Sequence, residues 1–144
     1  MVSDCKNVIT LIGAATTIEE LIACEFSAEK YLPTPAHEDS DRSWIDWRYA
    51  NWGTKRMSYF KVLQKGVRGC IFSNISTRGP PIAFFKFLQE KFPDLQIKCE
   101  FNNQEDGFGG IWIGRRVNGE VEITSHHWVD FDEDEYYEAF ESNI

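Results

Sequence analysis

The sequence contains no long hydrophobic run and no recognisable catalytic or cofactor motif. Its longest strongly apolar segments, residues 8–15 and 82–88, are far shorter than the roughly twenty residues that a membrane-spanning helix requires. The basic start, apolar core and small-residue cleavage site of a secretory signal are also missing. We therefore expect a protein that stays in the cytoplasm of the cell that makes it.

Cysteine is sparse and scattered along the chain. The four cysteines are Cys5, Cys24, Cys70 and Cys99. They have neither the paired spacing of a zinc site nor the density of a disulfide scaffold. Because each has apolar or strand-like neighbours, we expect buried free thiols and no cysteine nucleophile.

Metal and phosphate motifs are also weak. His126 and His127 lie near Asp130, but adjacent side chains of a strand point to opposite faces, so at most one could join a given site. The glycines of residues 107–110 precede a strand, whereas a phosphate-binding loop precedes a helix. The sequence predicts no metal, no cofactor and no catalytic residue, which favours a protein that is not an enzyme.

Positive charge is missing from the C-terminal end. Residues 130–141 hold seven of the 23 acidic residues and no Lys or Arg, which leaves 16 acidic against 15 basic residues elsewhere. A protein that binds duplex nucleic acid needs the opposite sign, because cations must replace the phosphate counterions. Direct nucleic-acid binding is therefore not expected.

The acidic segment also carries aromatic side chains. On a helix it would have one aromatic face and one anionic face, which suits docking to a basic protein surface. A tail that serves only solubility is the alternative. The predicted docking residues are Asp132, Glu133, Asp134, Glu135, Tyr136 and Tyr137.

Aromatic residues are plentiful, at 15% of the 144 residues, and favour a sheet-rich fold because their rings fit a pleated surface. Three of the five tryptophans fall within residues 44–55. Polar and aromatic residues alternate there as in an extended chain, and Gly53 then permits a sharp corner. This block is either a buried plug beneath a loop or a platform that stacks a ligand.

The remaining pattern gives one α+β domain over residues 1–129, followed by the acidic tail over residues 130–144. Period-two and period-3.6 apolar patterns predict the order β-α-β-β-α-β, with helices on one face of an antiparallel sheet. Asn118 and Gly119 then predict an added C-terminal hairpin. The predicted strands are residues 7–13, 57–64, 67–74, 95–101, 108–113 and 120–125, and the main core helix begins after Pro81.

Three segments resemble the YubB ferredoxin-like domain family: residues 51–55, the turn at 77–81 leading into residues 90–95, and residues 107–110. The likeness spans about residues 7–119. The resemblance implies a ferredoxin-like βαββαβ sheet and an accessory protein of a phage or plasmid, a family mostly without known function. It implies no reaction.

Together these observations predict a non-enzymatic protein-interaction module encoded by a mobile element. Inhibition of a basic host protein, such as a defence nuclease, is the specific hypothesis. The alternative is a small-molecule or nucleotide-binding domain that uses Trp47, Trp52 and Trp112 on the exposed side of the sheet. A cryptic hydrolase ranks third. The predicted ligand- or partner-binding residues are Trp47, Asn51, Trp52, Lys55 and Trp112.

Overall fold

The computed structural model describes residues 3–38 and 41–129. Within them the chain is an α+β fold with a six-stranded antiparallel sheet and four helices. The strands are β1 (Asp4–Ile12), β2 (Met57–Lys65), β3 (Gly69–Thr77), β4 (Gln96–Asn103), β5 (Phe108–Val117) and β6 (Glu120–Val129). The helices are α1 (Ala15–Ala23), α2 (Ala28–Tyr31), α3 (Ser43–Asn51) and α4 (Ile82–Lys91).

Strand β1 lies inside the sheet, whose order is β2-β3-β1-β4-β5-β6. It pairs antiparallel with β3 and with β4, and Ile9 is opposite both Phe72 and Cys99. Its β-branched, apolar sequence is typical of a strand that is paired on both sides. The strand predicted at residues 7–13 is confirmed, with bounds Asp4–Ile12.

Helices cover one face of the sheet. Along β1, Ile9 and Leu11 are fully buried while Val8 and Ile12 are exposed, so the alternate side chains face a packed layer and an open surface. Phe26 joins the sheet to α4, with ring centroids 4.9 Å from Phe72 and 5.1 Å from Phe84. The core therefore lies between the sheet and the helices.

The predicted C-terminal hairpin is confirmed and is longer than expected. Asn118 and Gly119 both have positive φ, at 53° and 84°, as the tight two-residue turn between twisted strands requires. A Cβ on Gly110 would lie 2.3 Å from the carbonyl oxygen of His126, so Gly110 permits close packing of β6 on β5.

One local prediction was wrong. Residues 44–51 form α3 instead of an extended chain. The guanidinium of Arg48 lies 4.8 Å from the ring of Trp44 and 4.4 Å from that of Trp52, and this spacing of four residues follows one side of a helix.

None of the described helices is long and apolar enough to cross a membrane.

Candidate ligand-binding cleft

The aromatic block is a helix followed by a corner. Asp41 accepts hydrogen bonds from the backbone N–H and the hydroxyl of Ser43, both at 2.9 Å, and these bonds lower the pKa of Asp41. At the other end of α3, Gly53 adopts φ +83°, and its N–H donates to the carbonyls of Arg48 and Tyr49. This conformation favours glycine and turns the chain towards β2.

Arg48 fixes the corner to the preceding loop. Its Nε donates to Thr34 Oγ1 at 2.9 Å and its Nη1 to the carbonyl of Lys55 at 3.0 Å, while Nη2 lies 3.7 Å from Glu29 Oε2. The guanidinium lies against the rings of Trp44 and Trp52. Burial lowers its pKa, and the nearby charge of Arg56 acts in the same direction.

Thr54 provides a second attachment for the corner. It is fully buried. Its hydroxyl donates to the carbonyl of Thr77 at 2.9 Å and accepts from the Thr77 N–H at 2.8 Å. Because Thr77 ends β3, this pair holds the start of β2 against its neighbouring strand and sets the position of Arg56.

An open cleft of about 630 Å³ lies beside this corner. One wall is residues 24–29, which connect α1 to α2 and include the first turn of α2. The other is Arg48, Trp52, Arg56 and the start of β2 from Met57 to Phe60, with Asn74 of β3 at its base. Ligand sites of this size are typically apolar pockets with a few convergent polar groups.

The backbone is strained on both walls. Glu25, Phe26 and Tyr59 have φ between 54° and 57° although none is glycine, a conformation that costs about 1–2 kcal/mol for each residue. Tyr59 lies where the register of β2 shifts between Ser58 and Lys61, and 79% of its surface is exposed. Backbone strain of this kind tends to cluster at ligand-binding sites.

The base of the cleft leads into a buried polar network. The amide of Asn7 donates to Asn74 Oδ1 at 3.0 Å and to Ser76 Oγ at 2.9 Å. The thiols of Cys5 and Cys99 lie 3.6 and 3.7 Å from Asn7 Oδ1. Burial raises the pKa of Cys5 to about 12 and also raises the pKa of Cys99 well above that of a free thiol, so both stay protonated and donate.

The structure brings together four of the five residues predicted to bind a ligand or partner. Trp47 and Trp52 have ring centroids 6.3 Å apart, Asn51 donates to the carbonyl of Trp47, and the ammonium of Lys55 lies 5.7 Å from the Trp44 ring. Trp52 is only 4% exposed, and its Nε1 donates to the carbonyl of Leu32 at 2.9 Å. It is therefore mainly a buried plug, with one edge lining the cleft.

Trp112 does not lie on the exposed side of the sheet, so that placement was wrong. It is 2% exposed and packs 5.2 Å from Phe85 of α4. It is opposite Cys99 in the register of β5 with β4, on the face that the helices cover. Three strands separate β5 from β2, so Trp112 is not part of the cleft. Trp47 and Trp52 pack with the helix layer as well.

The cleft also contains residues that the sequence pattern did not indicate. Arg56 and Tyr59 line it, and so do Glu25 and Phe26. One signal was present in the sequence: Tyr59 and Phe60, and then Val62 and Leu63, stand side by side where a strand with one buried face would alternate. Such a break is typical of a β-bulge.

The remaining predicted sites have different outcomes. Residues 130–144, with the acidic docking residues, lie outside the described residues. The four cysteines are free; Cys5, Cys70 and Cys99 are buried, and Cys24 is partly buried. The described residues contain no cluster of three or more His, Cys, Asp or Glu side chains that could hold a metal ion.

Comparison of the chain with protein-family models, curated proteins and solved structures gives no match.

Proposed function

We propose that this chain is a non-enzymatic binding protein whose cleft takes a small anionic ligand with a planar ring, of the nucleotide class. The observation that carries the proposal is the position of Arg56. Its side chain lines the cleft and is exposed, and it has no hydrogen-bond or ion-pair partner among residues 3–38 and 41–129. Arginine is well suited to phosphate because its planar guanidinium can donate two parallel hydrogen bonds.

A second cation supports an anionic ligand. Arg48 lines the same cleft, and its known partners use only part of the five N–H donors of a guanidinium. The carboxylate of Glu29 pairs with Arg48 at 3.7 Å and also accepts from the N–H and the hydroxyl of Thr34, so Arg56 is the cation of the cleft that is left for a ligand. A phosphate group between Arg48 and Arg56 would reduce the repulsion between them.

The aromatic side chains support a planar ring in the ligand. Tyr59 stands exposed at the rim, and Phe60 and the edge of Trp52 line the interior. Stacking of a base on an aromatic side chain contributes about 1–3 kcal/mol. In a nucleoside monophosphate, the phosphate would bind Arg48 and Arg56, and the base would stack on Tyr59.

Tryptophan fluorescence tests the proposal directly, because Trp52 lines the cleft. The purified chain is titrated with AMP, GMP, CMP and UMP, and with the matching nucleosides. We expect saturable quenching by at least one nucleotide and at least tenfold weaker binding of its nucleoside. Arg56→Gln should weaken nucleotide binding about 10- to 100-fold, since a hydrogen bond to a charged group contributes about 1.5–3 kcal/mol.

Lys65→Gln is the control, because Lys65 is an exposed cation of β2, the strand that follows Arg56, and does not line the cleft. It should leave nucleotide affinity unchanged. Tyr59→Leu should weaken nucleotide and nucleoside binding by the same factor. The proposal fails if no nucleotide gives saturable quenching at millimolar concentration, or if Lys65→Gln weakens binding as much as Arg56→Gln.

The finer description of the fold is also a proposal. The order β2-β3-β1-β4, with antiparallel neighbours and helices between β1 and β2 and between β3 and β4, supports a ferredoxin-like arrangement to which β5 and β6 are added. The resemblance to YubB-type domains, the mobile-element origin and the cytoplasmic location stay predictions.

Docking of the acidic tail to a basic protein surface is a second proposed function. Its support is the composition of residues 130–141, with seven acidic residues and no Lys or Arg. The test replaces Asp132, Glu133, Asp134 and Glu135 with Asn and Gln before affinity capture from host lysate at low and high salt. A partner that is lost on substitution and at high salt supports docking to a basic host protein, such as a defence nuclease. Capture that the substitutions leave unchanged removes the idea.

A further inference from the structure

The two edges of the sheet differ in how they are protected from pairing with another strand. Edge strand β2 has two register shifts, between Ser58 and Lys61 and between Val62 and Gln64, and carries the exposed cations Lys61 and Lys65. Bulges and edge lysines are the usual features that prevent a sheet from adding a further strand. The β2 edge is therefore poorly suited to pairing.

Strand β6 has none of these features. Its ten residues pair with β5 without a register shift, and residues 120–129 contain no Lys, Arg or Pro. Val121, Ile123 and Thr124 favour extended structure, and Ile123 is 43% exposed. A regular edge strand presents alternate N–H and C=O groups outward, and within residues 3–38 and 41–129 no strand pairs with this edge of β6.

The charges of β6 indicate what that other strand is. The first half carries Glu120 and Glu122, and the second half carries His126 and His127. In an antiparallel pair of two identical strands, the first half of each lies against the second half of the other. The acidic end of one copy would therefore meet the histidine end of its partner.

We propose that a second copy of this chain pairs antiparallel with β6, so that two six-stranded sheets form one continuous sheet. A two-fold axis at Thr124 places Glu122 of one copy opposite His126 of the other. These side chains lie on the same face of β6, because their partners in β5 are Arg115 and Ile111, four residues apart. An imidazole N–H then donates to a carboxylate twice, once on each side of the axis.

The existing contacts of both side chains are compatible with this arrangement. Glu122 lies 4.0 Å from Arg115 within its own chain, and both side chains are about half exposed, so the carboxylate can accept a further bond. His126 is exposed, and its ring lies 6.5 Å from that of Trp128. Pairing would also cover Ile123 of each copy.

Sedimentation velocity of the full chain between 1 and 200 µM tests the proposal. We expect a monomer–dimer equilibrium in this range. In the variant His126→Glu, a carboxylate faces the Glu122 carboxylate of the other copy on each side of the axis, so the dimer should weaken at least tenfold. Adding Glu122→Lys to His126→Glu restores opposite charges and should recover the dimer. Recovery separates pairing from a simple loss of folding, because damage to the fold would increase with the second substitution.

Gln64→Lys, an added cation on the β2 edge, is the control and should leave dimerisation unchanged. A wild-type chain that stays monomeric at 200 µM overturns self-pairing. So does a dimer that His126→Glu leaves intact, or one that Gln64→Lys disrupts, since either would place the contact on another surface.

Discussion

The hydroxyl of Thr54 gives the sharpest test of how the corner beside the cleft is held. Thr54→Val keeps the shape of this fully buried side chain and removes only its hydrogen bonds, which join the hydroxyl to the Thr77 carbonyl at 2.9 Å and the Thr77 N–H at 2.8 Å. Each contributes about 1 kcal/mol net. The Thr77 N–H keeps the carbonyl of Arg56 as an acceptor at 3.1 Å. We therefore expect a loss of about 2 kcal/mol in the free energy of unfolding. The loss would be larger if the Thr77 N–H had no other acceptor.

Thr54→Ser is the matched variant, because it keeps the hydroxyl and removes one buried methyl group. That change costs about 1 kcal/mol. Urea unfolding followed by circular dichroism should rank wild type above Thr54→Ser and Thr54→Ser above Thr54→Val. The loss for Thr54→Val corresponds to a fall in Tm of about 6 °C for a domain of this size. Apolar burial alone predicts the opposite order, so a Val variant at least as stable as the Ser variant would refute the reasoning.

Three further results are expected. Gly53→Ala should lower the free energy of unfolding, measured in urea, by at least about 2 kcal/mol, because φ is +83° and a Cβ would lie 2.9 Å from the backbone nitrogen of Ile82. Gly79→Ala is the control: the space around its Cβ is open, so the free energy of unfolding should change by less than about 0.5 kcal/mol. Equal losses for the two variants would contradict this reasoning. The pKa of Cys5 is about 12 in the fold and 9.0 for a free thiol, so the unfolded chain releases a proton first and stability falls as pH rises from 9 towards 12. Cys5→Ser keeps a hydrogen-bond donor that does not titrate there, so urea unfolding at several pH values should show a slope smaller by about 1.4 kcal/mol per pH unit; an unchanged slope would count against a buried, protonated thiol. Ellman's reagent should label one thiol quickly in the folded chain, and this fast phase should disappear in Cys24→Ser, since Cys24 is the only one of the four thiols that is not buried.

Local pattern was sufficient for most of the secondary structure. The β-branched run of β1, the stripe of phenylalanines in α4 and the Asn118–Gly119 turn each have a signal within a few residues, and each prediction is confirmed. Helix α3 was missed because its stabilising contacts connect residues four apart on a short, polar segment. An alternating polar pattern cannot distinguish that arrangement from an extended chain.

What the sequence by itself determined is the α+β composition, the free cysteines and the acidic end of the chain, because composition and short-range periodicity express these directly. Tertiary structure decided the cleft. Register with β4 turned Trp112 towards the helices, and the bulge in β2 placed Tyr59 at the rim. Arg48 and Arg56 face the same cleft only because the corner between them is fixed to β3, far away in sequence. Contacts between distant segments depend on pairing and packing, which no short stretch of sequence encodes.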